Sequence, residues 1–181
     1  MIRLLAIRHA PVTVERIFYG QTDVPTTLTG AEAAAQIEPV VAAFGPAVIW
    51  SSDAARCRVP AEILSKRLGA RLRIDERIRE FSYGEWEGRA WDDVPRCDVE
   101  EWMAHWQARS PPGGESGAAF SARVAAWWRG LEPGNHFLMA HAGVVYCLGV
   151  IAGGLAWEQT PEQRLDFLEA RQFARTAART P

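Results

Sequence analysis

Apolar residues along this chain fall into a few kinds of pattern, and each kind predicts an element. Ile2-Arg3-Leu4-Leu5-Ala6-Ile7, Ala47-Val48-Ile49-Trp50 and Phe137-Leu138-Met139-Ala140 are short, nearly unbroken apolar runs bounded by turn formers. Such runs read as buried strands of a parallel sheet. Arg71-Leu72-Arg73-Ile74 alternates instead and reads as a short strand. Between these runs the period changes to that of a helix. Thr29 and Glu32 form a capping-box pattern at the head of an alanine-rich stretch, disturbed at Pro39 and stopped by Gly45-Pro46. Ser51-Ser52-Asp53 offers caps for a second helix reaching about Leu68, with Pro60 marking its first turns or a kink and Gly69 closing it. Phe120, Val124, Trp127, Trp128 and Leu131 recur at helical spacing, and Gly134 is read as the end of that helix. Strand, helix, strand, helix, strand predicts an α/β fold with a mainly parallel central sheet and helices on both faces.

Residues 75 to 115 break this rhythm. Glu80-Phe81-Ser82-Tyr83-Gly84-Glu85-Trp86-Glu87-Gly88 is an acidic, aromatic loop. Asp98 is placed to cap a short helix that sets Trp102 and Trp106 one turn apart on one face, before the breaker cluster Pro111-Pro112-Gly113-Gly114. We therefore expect one domain over residues 1–181, carrying a capping insert at about 85–117. After Gly154 no closing strand is legible, and Gln172 to Arg179 reads equally as a helix or a frayed end.

Composition narrows the class. With 181 residues, 48% hydrophobic and 23% charged, the chain is long and apolar enough for a real core, which argues against disorder. A net charge of −2 gives no reason to expect nucleic acid or an anionic membrane as partner. Cys57, Cys97 and Cys147 are sparse, odd in number and without a C-x-x-C pair, as suits a reducing, cytoplasmic location. No cysteine has an arginine six residues on, so a cysteine-loop phosphatase is not suggested. Phe137 to Trp157 lacks Asp, Glu, Lys and Arg, yet His141 and four glycines interrupt it; strand, turn and buried helix is the better reading than a membrane span.

The candidate chemistry lies at strand ends, where open α/β sheets bind ligands. The first strand delivers Arg8-His9; Arg56 lies near a helix start, Glu80 in the acidic loop, and His141 after the 137–140 strand. Alone, Arg8-His9 reads equally as a solvated arginine and a hydrogen-bonded histidine. Together the five suit a phosphate ester: arginines hold the dianion, one histidine attacks, the other, protonated, donates to a phosphoryl oxygen, and the carboxylic acid protonates the leaving alcohol. Glu76, Glu85 and Glu87 are competing acids, and His105 and His136 read as surface or core residues. The histidines lack metal-ligand spacings, so neither a metal nor another cofactor is expected. Trp86, Trp102 and Trp106 are candidates for a substrate mouth.

Five motifs in order carry a resemblance. Ile7-Arg8-His9-Ala10, then Gly20-Gln21-Thr22-Asp23-Val24-Pro25 with Leu28-Thr29-Gly30, Ser52 to Arg56, Glu80 with Gly84-Glu85-Trp86-Glu87-Gly88, and Met139 to Val145 follow one another. This pattern resembles the histidine phosphatase superfamily, the phosphoglycerate mutase-like proteins, over residues 1 to about 155. The resemblance implies a three-layer α/β/α fold, a metal-independent phosphomonoesterase and a phosphohistidine on His9. Arg8, Arg56 and His141 would line the phosphate pocket and Glu80 would donate the proton. Gly84 to Gly88, the tryptophan-rich insert and Gly113-Gly114-Glu115-Ser116 resemble α-ribazole phosphatases and their broad-specificity relatives, which implies α-ribazole 5′-phosphate of cobalamin assembly as substrate. The sequence departs from the family at Val12 and Glu15, where many members have Thr and Asn, at Ala10 for glycine and at Pro60 for threonine. How the pocket is completed without them, and the oligomeric state, stay open. The rival readings are a phosphoglycerate mutase, a protein phosphohistidine phosphatase and a catalytically silent phosphate-binding module.

Overall fold

A computed structural model describes residues 1–176. Five strands form one sheet in the order β3-β2-β4-β1-β5. These are β1 (Ile2–Arg8), β2 (Val48–Ser51), β3 (Arg71–Ile74), β4 (Gly134–Ala140) and β5 (Ala170–Arg175). Four run parallel; β5 lies antiparallel along β1, pairing Ile2 with Arg175 and Ile7 with Ala170. This strand overturns the expectation of no closing strand, and it occupies the first part of the stretch read as a helix or frayed end; the rest of that stretch, from residue 177, lies outside the described residues. The strand was illegible because Ala170-Arg171-Gln172-Phe173 covers a sheet edge, so it needs no continuous apolar run.

Period-two alternation sorts the core into two layers. Ile2, Leu4 and Ala6 of β1, with Leu138 and Ala140 of β4, face α4 (Gly117–Arg129) and α5 (Ala142–Gly153). Leu5 and Ile7, with Phe137 and Met139, face α1 (Gly30–Phe44) and α2 (Ala55–Leu68). The fully buried side chains Trp127, Phe120 and Phe137 anchor these layers. At roughly 1.5–3 kcal/mol per large apolar side chain buried, the two layers supply the main stabilising term.

The structure adjusts several local expectations. Thr29 and Glu32 form the full capping box of α1. The helix runs on through Pro39, because Pro39 and Ala35, whose carbonyl the proline leaves unpaired, both face solvent. The α2 cap comes from another loop: Ala54 has no capping side chain, and Asp23 accepts from the Ala55 amide at 2.9 Å. Asp98 lies in the first turn of α3 (Arg96–His105) rather than capping it, and Trp106 sits just past its end. α4 ends at Gly130, whereas Gly134 opens β4. The segment from Phe137 is strand then helix, and no described helix is long and apolar enough to cross a membrane.

Candidate active site

Parallel pairing of β1 with β4 sets Arg8 opposite Ala140, so the residues that follow each strand, His9 and His141, emerge side by side. The His9 amide bonds the Ala140 carbonyl at 2.9 Å, and the two rings meet edge-to-face with centroids 5.5 Å apart. β2 flanks β4 on its other side and delivers Ser52, whose hydroxyl lies 2.8 Å from Nε2 of His141. Cys57, from α2, packs its thiol 3.6 Å from the same nitrogen. The sheet topology thus brings both histidines and Ser52 together, and α2 adds Cys57.

His9 is almost wholly buried, and its Nδ1 stands 2.7 Å from the Ala10 carbonyl. A carbonyl can only accept, so Nδ1 carries the hydrogen. Burial, reinforced by the charges of Arg56 and Arg8 but opposed by that hydrogen bond, holds the ring's pKa down at about 3. A neutral ring protonated on Nδ1 presents a free lone pair on Nε2, as a nucleophile requires. His141 is also pushed well below the usual histidine range by complete burial, then by Arg56 and His9. That lowering, led by burial, works against the protonated His141 expected from the sequence. Burial raises the Cys57 thiol to about 12, so it packs as a neutral group.

Two arginines frame the histidines. Arg56 donates to the carbonyls of Gly20 at 2.6 Å and Thr22 at 2.8 Å, which fixes its fork and the 20–23 loop together. Arg8 donates through Nη1 to Leu165 at 2.8 Å. The Nε atoms of both arginines are buried donors with no acceptor among the described residues. Paired guanidinium edges of this kind suit a phosphate dianion.

Glu80 lies against the start of α5. Its Oε2 accepts from the Gly143 amide at 3.0 Å and its Oε1 from Phe81 at 2.9 Å. A Cβ on residue 143 would stand 2.3 Å from Oε1, so glycine there permits the approach. The competing acids take other places. Glu87 is consumed by the backbone amides of Gln21, Thr22 and Tyr83, tying the acidic loop to the loop that holds Arg56. Glu76 and Glu85 are exposed and line no part of the main cavity. Arg123, unnoticed in the sequence, supports this loop from behind by donating to the carbonyls of Arg77, Arg79 and Glu80 and pairing with Glu115. His136 is a core residue between the Trp50 indole and the Glu132 carbonyl.

A cavity of about 470 Å³ opens beside Arg8, His9 and Glu80. Its walls are mostly apolar: Phe18, Tyr19, Tyr83, Trp91, Trp102 and Met103 among them. Of the three tryptophans expected at a mouth, only Trp102 lines it. Trp86 is buried against Phe18 and Trp102, and Trp106 packs edge-to-face on Trp157 at 4.9 Å. Trp91, half-exposed at the rim, takes the place expected of them. Its position beside the acidic loop was the available signal. The missing Thr and Asn leave Val12 in an isolated bridge to Thr26, away from the cavity lining.

A sequence profile described as the histidine phosphatase superfamily (branch 1) matches residues 4–173. The chain is 31% identical to a probable phosphoglycerate mutase, GpmB, of Salmonella paratyphi C, over 96% of this chain and 89% of that protein. Its fold superposes on the α-ribazole phosphatase of Shigella flexneri with a TM-score of 0.80 at 24% identity, covering 94% of this chain and 89% of the other. It also superposes on the mycobacterial glucosyl-3-phosphoglycerate phosphatase with a TM-score of 0.77 at 26% identity, covering 94% and 88%. A profile spanning almost the whole chain, and a relative matched along nearly its full length, lead to one conclusion: this protein is an enzyme of the histidine phosphatase superfamily, branch 1.

Proposed function

We propose that the enzyme hydrolyses phosphate monoesters without a metal, through a phosphohistidine on His9, and that its substrate is α-ribazole 5′-phosphate. The observation that carries the mechanism is the buried ring of His9, protonated on Nδ1 and held neutral by burial and by the charges of Arg56 and Arg8. Nε2 attacks phosphorus while Arg8 and Arg56 take up charge on the phosphoryl oxygens. Glu80, at the cavity wall, protonates the departing alcohol; the same group then takes a proton from water as the phosphohistidine is hydrolysed. α5 begins at Ala142 on the cavity wall, so the positive end of its dipole favours the anion as well.

The cavity lining supports the substrate reading. A flat base gains roughly 1–3 kcal/mol by stacking on one aromatic side chain, and Trp91, Trp102, Tyr83 and Phe18 offer such faces. A phosphoglycerate mutase, the second reading suggested by the curated relatives, must also bind a carboxylate; the cation in this lining is Arg8, which the phosphate already claims.

The experiment compares kcat/KM for α-ribazole 5′-phosphate and 3-phosphoglycerate, and traps the enzyme with ³²P-labelled substrate. We expect the nucleotide to be preferred, and a label lost in acid, stable in base and absent from His9→Asn. Preference for phosphoglycerate would end the substrate reading alone, whereas an acid-stable label would end the phosphohistidine mechanism.

A further inference from the structure

The turn Leu165–Glu169 contains none of the motifs, yet it meets the site at several points. The Leu168 amide donates to the Arg8 carbonyl at 3.0 Å, and the Arg8 amide donates to the Glu169 carbonyl at 3.3 Å. The Leu165 carbonyl accepts from Nη1 of Arg8 at 2.8 Å. Between these bonds the Phe167 ring lies 3.7 Å from the Arg8 guanidinium carbon and 5.7 Å from the His9 ring. Leu168 holds a left-handed backbone, φ 59°, which a bulky L-residue adopts only where its surroundings impose it. Here they are imposing: Leu165 is buried and donates to the Tyr146 hydroxyl, and the Asp166 amide caps onto the Glu169 carboxylate. The strained residue therefore fixes the ring beside it.

We propose that Phe167 is a positioning residue for phosphate binding, holding the Arg8 guanidinium in the plane in which its free edge meets the anion. An arginine carries flexible methylenes and must give up their freedom to bind. A ring stacked on one face, with Nη1 tied to Leu165, removes that freedom beforehand and leaves Nε without an acceptor among the described residues, free to bind an anion. The ring also keeps water from one face of the guanidinium, which strengthens its field at the phosphoryl group. This rests on Arg8 being a phosphate ligand, as proposed above.

The test uses inorganic phosphate as a competitive inhibitor of p-nitrophenyl phosphate hydrolysis, with melting temperature measured alongside. Phe167→Leu keeps a branched apolar side chain, though a smaller one, and removes the π-face; Phe167→Tyr keeps that face; Arg8→Gln removes the ligand itself. We expect Phe167→Leu to raise the phosphate inhibition constant about 3- to 30-fold, the range for a partly desolvated cation–π contact, at nearly unchanged melting temperature. Phe167→Tyr should restore it. Unchanged phosphate inhibition in Phe167→Leu, with inhibition lost in Arg8→Gln, would overturn the role of Phe167 and leave the catalytic reading standing. A fall in melting temperature that Phe167→Tyr does not rescue would likewise reduce the ring to packing. Unchanged phosphate inhibition in Arg8→Gln would remove Arg8 as a ligand and this inference with it.

Discussion

His9 is held neutral by its surroundings, and that has a consequence for stability as well as for attack on phosphorus. Its pKa is about 3 in the fold against 6.5 in the unfolded chain, with burial the leading cause. Between those values the unfolded chain binds a proton that the native ring refuses, so stability falls as pH falls through this window. At 1.36 kcal/mol per pH unit the loss from this residue is on the order of 5 kcal/mol by pH 3. His141 is displaced in the same direction. Urea unfolding followed from pH 7 to pH 4 should show a steep decline in the native protein and a shallower one in His9→Asn. Equal slopes would mean that His9 titrates normally in the fold. The residues carrying this behaviour were legible because they end apolar strands. Local pattern marks Ser52 only as a helix cap; that it reaches His141 depends on β2 lying beside β4, a contact no local pattern announces.

Elements with a strong internal period are legible in the sequence, and those defined by their neighbours are not. α1 declares itself through Thr29 and Glu32, whereas α2 borrows its cap from Asp23 and α3 buries none of its residues completely. α3 is instead held by Val99 and Trp102 packing on Phe18, Trp86 and Val94. The spacing of tryptophans along α3 therefore does not mark the mouth, which Trp91 and Trp102 line. Trp106 closes on Gly117, where a Cβ would stand 2.3 Å from its ring, so it joins the insert to α4. Trp91 is half exposed at the cavity rim, stacked only loosely by Arg16. Trp106→Ala should cost about 3 kcal/mol, at the low end for a large aromatic because the ring is only partly buried, and lower the melting temperature without changing substrate preference. Trp91→Ala should raise KM for a nucleoside phosphate while sparing p-nitrophenyl phosphate and leaving the melting temperature nearly unchanged. A Trp91→Ala enzyme with unaltered KM would show that the rim takes no part in recognition.

At the scale of the whole molecule, the parallel sheet brings both histidine motifs to one edge, and this much follows from strand order alone. What completes the site comes from the far end of the chain: β5 and the turn before it lie along β1 and against Arg8. The sequence hid this because a covering edge strand is held by backbone bonds, which carry no residue signature, and because Arg171 and Arg175 break its apolar pattern. Backbone pairing also implies what removal would do. Without β5, the central strand Ile2–Arg8 becomes an edge whose open hydrogen-bonding groups flank Leu4, Leu5, Ala6 and Ile7, with no proline and few charges to discourage pairing with another chain. A chain ending at Glu169 keeps Phe167 and Leu165 but loses this cover. It should elute as aggregates in size-exclusion chromatography and bind an amyloid-type dye, even at temperatures where the full chain is monodisperse. Placing Lys at Leu5 would disrupt the core and prove nothing, since that side chain faces α1 and α2. The informative companion is Arg171→Pro in the full chain, which removes the ladder donor opposite Ala6 while leaving the apolar side-chain layers in place. It should weaken the sheet edge to a lesser degree than truncation. Should the shortened chain stay monodisperse with an unchanged melting temperature, β5 contributes only to holding the turn at Arg8, and the sheet is complete with four strands.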